Sequence, residues 1–334
     1  LNDAKDFTRM NTIHPLSPEP VLDPHSRDLL LRVGELTTAV AAGALTPPMR
    51  RQISRAANAL LVPADAVPVR REDVRIDLPQ RSLPARLYRP ETDAPSTAAA
   101  DVLLVFFHGG GWVVGDLETH DNACAFLTQH LGCTLLSVEY RKAPEHPFPA
   151  PCDDAADGFA WAASRLASWG CGRIAVAGDS SGGHLAAHAM FANPDVPTAA
   201  ALLFYPVADM DFANTSHSRT GAGPGLTSAG MVWYWEQLLG SAQPVSDSRA
   251  VLMRQQWWRR PPPTVVSLAW HDPLYDEGAA YAGLLQAGGA DVHVFDARDM
   301  AHGFLRQCRI NAAARGHVQA VADALLDCLA TRQD

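Results

Sequence analysis

Lysine is nearly missing from this chain of 334 residues: Lys5 and Lys142 are its only two, and arginine supplies the rest of the 27 basic residues. Neither lysine lies in a phosphate-binding loop or a setting for Schiff-base chemistry, so both are excluded. Basic clusters are missing too, and the formal net charge is −9. Nucleic acid and anionic membrane surfaces call for a basic face, so neither is an expected partner. Long apolar runs are absent. The longest, such as Val102–Phe107, suit a buried strand and fall far short of the roughly 20 residues a bilayer crossing takes. No N-terminal stretch joins a basic start to a continuous apolar run, so no secretory signal is expected. The six cysteines (Cys124, Cys133, Cys152, Cys171, Cys308 and Cys328) show no C-x-x-C spacing. They read as reduced core residues rather than a disulfide framework or zinc site. A cytoplasmic protein with no metal and no organic cofactor is expected.

What is present is the composition of an ordinary globular chain, 47% apolar and 19% charged. A helical pattern from about Ser26 to Ala44 is closed by Gly43 and Pro47–Pro48. Val74–Leu78 and Ala85–Tyr88 alternate as exposed antiparallel strands do. Then follow uninterrupted apolar strands: Val102–Phe107, Thr134–Val138, Arg173–Ala177, Ala200–Phe204, Thr264–Ala269 and Val292–Asp296. Helical patterns separate them, near Ala123–Leu131, Asp154–Ser168, Gly183–Phe191, Glu277–Gln286 and Ala312–Leu329. Strands without polar interruption are buried on both faces, and intervening helices imply parallel crossovers, so the fold class is α/β. One connection breaks the rhythm. About sixty residues separate Phe204 from Thr264, far beyond a usual link. They hold a Gly-rich turn at Gly221–Gly225, an aromatic helix near Met231–Leu239, and Trp257–Trp258. An insertion above the carboxyl ends of the strands reads as a lid over a site.

The chemistry begins at Gly178-Asp179-Ser180-Ser181-Gly182, a G-x-S-x-G pattern between a strand and a helix. A serine on so sharp a turn is held in strained geometry, and small flanking residues permit the close approach. Ser180 needs a base and the base an orienting acid, in the chain order Ser, Asp, His. Asp272 follows one apolar strand within His271-Asp272-Pro273-Leu274, and His302 follows the next within Ala301-His302-Gly303-Phe304. Asp276, Glu277 and Asp299 are rivals to Asp272, although Asp276 and Glu277 look better placed to cap and charge the following helix. The run His108-Gly109-Gly110-Gly111-Trp112 follows a third strand. Consecutive glycines let N–H groups converge on one point, so Gly109, Gly110 and Gly111, completed by Ser181, form an expected oxyanion hole.

With these residues the chain resembles the hormone-sensitive-lipase-like (bacterial family IV) carboxylesterases. The match runs through His108–Trp112, Tyr140–Ala150, Gly178–Gly183, Asp272–Gly278 and His302–Phe304. It implies the α/β-hydrolase fold: a mostly parallel eight-stranded sheet flanked by helices, with a helical cap. That divides the chain into an N-terminal cap segment, residues 1–50, and a catalytic domain, residues 51–334, with a cap insertion at about 209–262. The resemblance also implies hydrolysis of short- to medium-chain esters, with Ser180, Asp272 and His302 as the triad and Gly110, Gly111 and Ser181 as the chief oxyanion donors. Three positions depart from the family pattern: Glu139 for Asp, Lys142 for Leu and Ser181 for Ala.

Plainer accounts exist for each residue. Ser180 alone could be a turn serine, His302 a structural histidine and Asp272 a helix cap. His184 and His188, four apart, have metal-ligand spacing but no third ligand, and packing against neighbouring helices accounts for them better. Trp112, Asp179, Trp233, Trp257 and Trp258 are candidates for the substrate pocket, with cap core as the alternative for the tryptophans. An amide hydrolase of the aryl-formamidase type and a non-catalytic receptor on the same fold are the other functional readings. The expected partner is a small-molecule ester; a homodimer stays open.

Overall fold

In a computed structural model of the chain, which describes residues 19–40, 45–63, 65–91, 97–240, 246–256 and 259–331, the apolar segments become strands of one sheet. Two helices lead in, α1 (Pro24–Val40) and α2 (Pro47–Ala59). A hairpin follows, β1 (Val69–Leu78) and β2 (Arg81–Pro90). The alternating part is β3 (Val102–Phe107), α3 (Asp121–Leu131), β4 (Thr134–Val138), α4 (Ala150–Ala163), β5 (Arg173–Asp179), α5 (Ser181–Ala192) and β6 (Thr198–Phe204). Two helices, α6 (Thr215–Thr220) and α7 (Ser228–Leu239), lie in the long connection. The chain closes with β7 (Thr264–His271), α8 (Tyr275–Ala287), β8 (Val292–Ala301) and α9 (Ala312–Ala330).

The sheet order is β1-β2-β4-β3-β5-β6-β7-β8. β1–β2 and β2–β4 pair antiparallel, and every later pair is parallel. β3 shows why the central strands carry no polar residue. Leu103, Val105 and Phe107 join the apolar layer of α4, α5 and α8, while Val102, Leu104 and Phe106 join that of α3 and α9. Side chains alternate across a strand, so a strand between two helical layers must be apolar at every position. All six cysteines are buried and unpaired in these layers or at their margins.

Several sequence boundaries move. The helix expected over 26–44 spans Pro24–Val40, and residues 41–44 lie outside the described residues. Pro47–Pro48, expected to close it, instead opens α2, a helix the sequence pattern missed. Proline ends one helix or starts the next equally well, because the first-turn N–H groups have no helical acceptor to lose. β1 and β2 are ten residues each and pair along their whole length. The first half of β1 is rich in Arg, Glu and Asp, and β2 carries Arg81, Arg86 and Arg89, which hid their full length from an apolar pattern.

The topology places four loops at the carboxyl ends of neighbouring parallel strands. They carry the glycine run after β3, Ser180 after β5, Asp272 after β7 and His302 after β8.

Candidate active site

β5 ends at Asp179 and α5 starts at Ser181, so Ser180 stands alone at the corner. Its φ of 57° and ψ of −124° lie where an L side chain is rarely found, a conformation that costs on the order of 1–3 kcal/mol. The surroundings hold it there. The Ser180 N–H donates to the Phe204 carbonyl (2.9 Å), and its own carbonyl accepts from His184 (3.1 Å) and Val207 (3.2 Å). The corner also fits tightly against β3: a Cβ at Gly182 would collide with the Phe107 carbonyl oxygen. That close approach is the physical reason for glycine at the end of the motif.

Three distant side chains meet at this corner. Ser180 Oγ lies 2.8 Å from His302 Nε2, and His302 Nδ1 lies 2.6 Å from Asp272 Oδ2. Asp272 is fully buried, and its other oxygen accepts the Leu274 N–H at 2.9 Å. An acceptor on that side fixes the imidazole with a proton on Nδ1 and a free lone pair on Nε2 facing the hydroxyl. The rival acids are engaged elsewhere. Asp299 sits 2.6 Å from His317. Asp276 accepts the Ser216 N–H at 2.7 Å, and buried Glu277 accepts the Ala208 N–H at 2.9 Å. Both were expected to cap and charge α8. They do lie in its first turn, and their carboxylates also hold N–H groups of the long insertion.

Tyr205 is a residue the sequence did not point to. Its ring packs against His302 with 4.8 Å between centroids, and its hydroxyl accepts the Leu305 N–H at 3.1 Å. It therefore touches the loop of His302 at two points. Its only sequence signal was its place at the end of an apolar strand, which does not separate it from core.

The glycine run bends sharply. Gly110 has φ 125° and Gly111 φ 57°, and the Gly110 carbonyl accepts from Val113 (3.1 Å) and Val114 (2.9 Å). The N–H groups of Gly110, Gly111 and Ser181 donate to no other group among the described residues. Gly109 differs. Its N–H donates to Asp179 Oδ1 at 2.8 Å, so it is already spent and leaves the expected donor set. Behind the run, His108 is buried, and burial pushes its imidazole down to about 4, so it is neutral and can donate from Nδ1 to the Gly109 carbonyl at 2.8 Å. Tyr140 stacks on it at 4.4 Å and donates its hydroxyl to the His108 carbonyl at 2.8 Å. Of the departures from the family pattern, Lys142 pairs with Glu139 and also reaches the Gly115 carbonyl at 3.0 Å. Glu139 in turn accepts the Leu117 N–H at 2.9 Å, so the pair braces the end of this loop.

The pocket candidates separate. Trp112 is fully buried, with its indole N–H 3.3 Å from His184 Nδ1 and its ring 4.7 Å from Trp235, so it is core rather than pocket wall. His184 completes its bonding 3.0 Å from the Ala250 carbonyl, a packed histidine as expected. Asp179 is buried behind the glycine run and does not face an open pocket. Trp233 is half-buried, with the Arg50 guanidinium 4.1 Å above its ring. Trp257 and Trp258 lie outside the described residues. Tyr234, also missed, packs its ring directly on Gly111. Two neighbouring aromatics in an amphipathic helix gave no sign of which one would face the glycines.

A part-buried serine–imidazole–carboxylate line beside free main-chain N–H groups, at the carboxyl ends of parallel strands, is the geometry that a hydrolase-type nucleophile site requires. The alpha/beta hydrolase fold family matches residues 104–306. The carboxylic ester hydrolase LipN of Mycobacterium tuberculosis is 34% identical over 276 residues, 79% of this chain and 72% of the relative. The ethyl acetate hydrolase of Pseudomonas putida is 34% identical over 250 residues, 73% of this chain and 78% of the relative. Among solved structures, a thermostable esterase from Pseudomonas putida ECU1011 superposes with a TM-score of 0.83 at 27% identity, covering 94% of this chain and 99% of the other. The chain belongs to the α/β-hydrolase fold family, within its hormone-sensitive-lipase-like group.

Proposed function

We propose that this protein is a serine carboxylic ester hydrolase that cleaves short- to medium-chain esters through an acyl-enzyme on Ser180. The observation that carries this is the continuous line from Asp272 through His302 to Ser180, at 2.6 and 2.8 Å. His302 takes the hydroxyl proton as Oγ attacks the ester carbonyl, then returns it to the departing alkoxide so that an alcohol leaves. Water, deprotonated by the same imidazole, attacks the acyl-enzyme and releases the acid. Asp272 keeps the imidazole oriented and stabilises its charged form. The N–H groups of Gly110, Gly111 and Ser181 receive the developing oxyanion, an interaction worth roughly 3–4 kcal/mol per donor.

Relatives named as ester hydrolases favour an ester over an amide substrate, and the one named for ethyl acetate favours a short acyl group. A receptor would have no use for a base within bonding distance of the serine. The N-terminal helices and the insertion of about 209–262 act as the cap in this proposal; Tyr234 resting on Gly111 supports it. A cytoplasmic location and a homodimer belong to the same proposal. The unpaired, buried cysteines suit a reducing compartment. Among the described residues no helix is long and apolar enough to cross a membrane.

The decisive variant is Ser180→Ala, assayed on a short-chain nitrophenyl ester with far-UV circular dichroism as a check on folding. Turnover is expected to fall on the order of 10⁴-fold or more in a folded protein. A folded variant within tenfold of wild type overturns the proposal.

A further inference from the structure

Asp179 precedes the serine at the corner, yet it points away from it. Its carboxylate is buried and reaches across to the glycine run, where Oδ1 accepts the Gly109 N–H at 2.8 Å. The same oxygen lies 3.3 Å from His120 Nε2, at the start of α3. His120 is held in turn by Thr119, whose hydroxyl is 3.0 Å from its Nδ1, and the Thr119 carbonyl accepts from Arg306 at 3.1 Å. Arg306 lies four residues beyond His302, and its other end reaches Asn58 in α2 at 3.2 Å. One buried carboxylate therefore stands where β5, the glycine run, α3 and the His302 loop converge. There is no space to spare: a Cβ at Gly109 would strike the Asp179 side chain.

The geometry points to Asp179 as a positioning residue for the oxyanion hole, one that clamps the glycine run to the serine corner. The inference rests on the hydrolase proposal above and adds a role to it. Two peptide units separate Gly109 from Gly111, so the bond to the Gly109 N–H anchors the start of the segment that carries the next two N–H groups. Donors in an oxyanion hole must stand about 2.7–3.1 Å from the developing charge, a window only a few tenths of an ångström wide, and a preset frame avoids reorganisation during the reaction. Burial alone would raise the carboxyl of Asp179, but His120, the Gly109 N–H and Arg306 outweigh it and hold the group below its ordinary value. It therefore remains an ionised, strong acceptor.

The test compares Asp179→Ala and Asp179→Asn with wild type on two readouts. One is the separate effect on kcat and KM for a short-chain nitrophenyl ester. The other is affinity for a phenylboronic acid, which places a tetrahedral oxyanion in the hole without turnover. Asp179→Ala is expected to lower kcat and boronate affinity on the order of 10²-fold each, with KM within about threefold. Asp179→Asn keeps an oxygen that accepts the Gly109 N–H, and is expected to recover at least tenfold of both losses. A folded Asp179→Ala protein within threefold of wild type in kcat and boronate affinity overturns the inference, as does a loss carried wholly by KM. If Asp179→Ala does not fold, Asp179→Asn decides: a 10²-fold loss of boronate affinity there shows that accepting the Gly109 N–H is not the function. Because boronate binding needs no hydrolysis, failure of the ester assay alone would count against the hydrolase proposal and not against the clamp.

Discussion

At the corner around Ser180 the close approaches are between main chains. Gly182 lies against the Phe107 carbonyl, the Ser180 N–H bonds to the Phe204 carbonyl, and a Cβ at Gly178 would collide with the Gly182 carbonyl oxygen. Around α7 they are made by side chains: Arg50 lies over Trp233 and Tyr234, at 4.1 and 5.5 Å, and the Tyr234 ring rests on Gly111. A main-chain contact has no rotamer with which to yield, whereas stacked rings and guanidinium groups can shift and repack. The corner is therefore expected to be intolerant of substitution, and the contacts around α7 permissive.

The sharpest challenge to that contrast is Gly182→Ala. The added methyl meets backbone, so the corner must move, and the expected result is loss of soluble protein or of at least 10³-fold in kcat/KM. A folded, active variant, by expression yield and kinetics, would erase the distinction.

Acid provides a second challenge. Burial lowers His108 to about 4, His184 to about 3 and His188 to about 4, against an ordinary 6.5. Because their folded-state values are depressed, the stability they contribute is complete above about 6.5 and is lost as pH falls toward 3. All three sit on the glycine run and α5. Burial acts the other way on Glu277 at the root of the insertion, raising its carboxyl to about 7. Its contribution is complete below about 4.5 and is lost as pH rises through 7. Thermal unfolding is expected to show a Tm drop of roughly 10 °C from pH 7 to 4. Glu277→Gln should steepen the net rise in stability between pH 4.5 and 7, by removing the opposing slope. A Tm independent of pH over that range in both wild type and Glu277→Gln would contradict both assignments.

The smallest effect is expected from Arg50→Ala, which removes a guanidinium from two aromatic faces. A loss of about 1 kcal/mol, or roughly 2–3 °C in Tm, should accompany kcat on a short-chain ester within threefold of wild type. A drop of 10²-fold in kcat would mean that the side chains around α7 are as exacting as the corner.

The parts of the site that were readable in the sequence follow the same division. Glycines at 110, 178 and 182 are demanded by main-chain geometry, so their spacing announced the corner and the run. Unbroken apolar strands announced burial on both faces. The contact between Asp179 and His120 spans 59 positions, and no local spacing marks it. α2 was missed because proline reads alike at a stop and at a start. Glu277 reads as a helix-charging residue from its place in the first turn of α8, and its further bond to the Ala208 N–H of the insertion has no local mark in the sequence.

By itself the sequence determined the alternation of apolar strands and helices from β3 onward, the strained turn at residue 180 and the flexibility of the glycine run, because propensity, periodicity and the missing Cβ are local properties. The tertiary structure decided which N–H groups remain available for an oxyanion, which acid reaches His302 and which aromatic ring meets Gly111. Each depends on which side chain arrives first at a shared buried group, and that competition is settled only when distant loops are brought to the same end of the sheet.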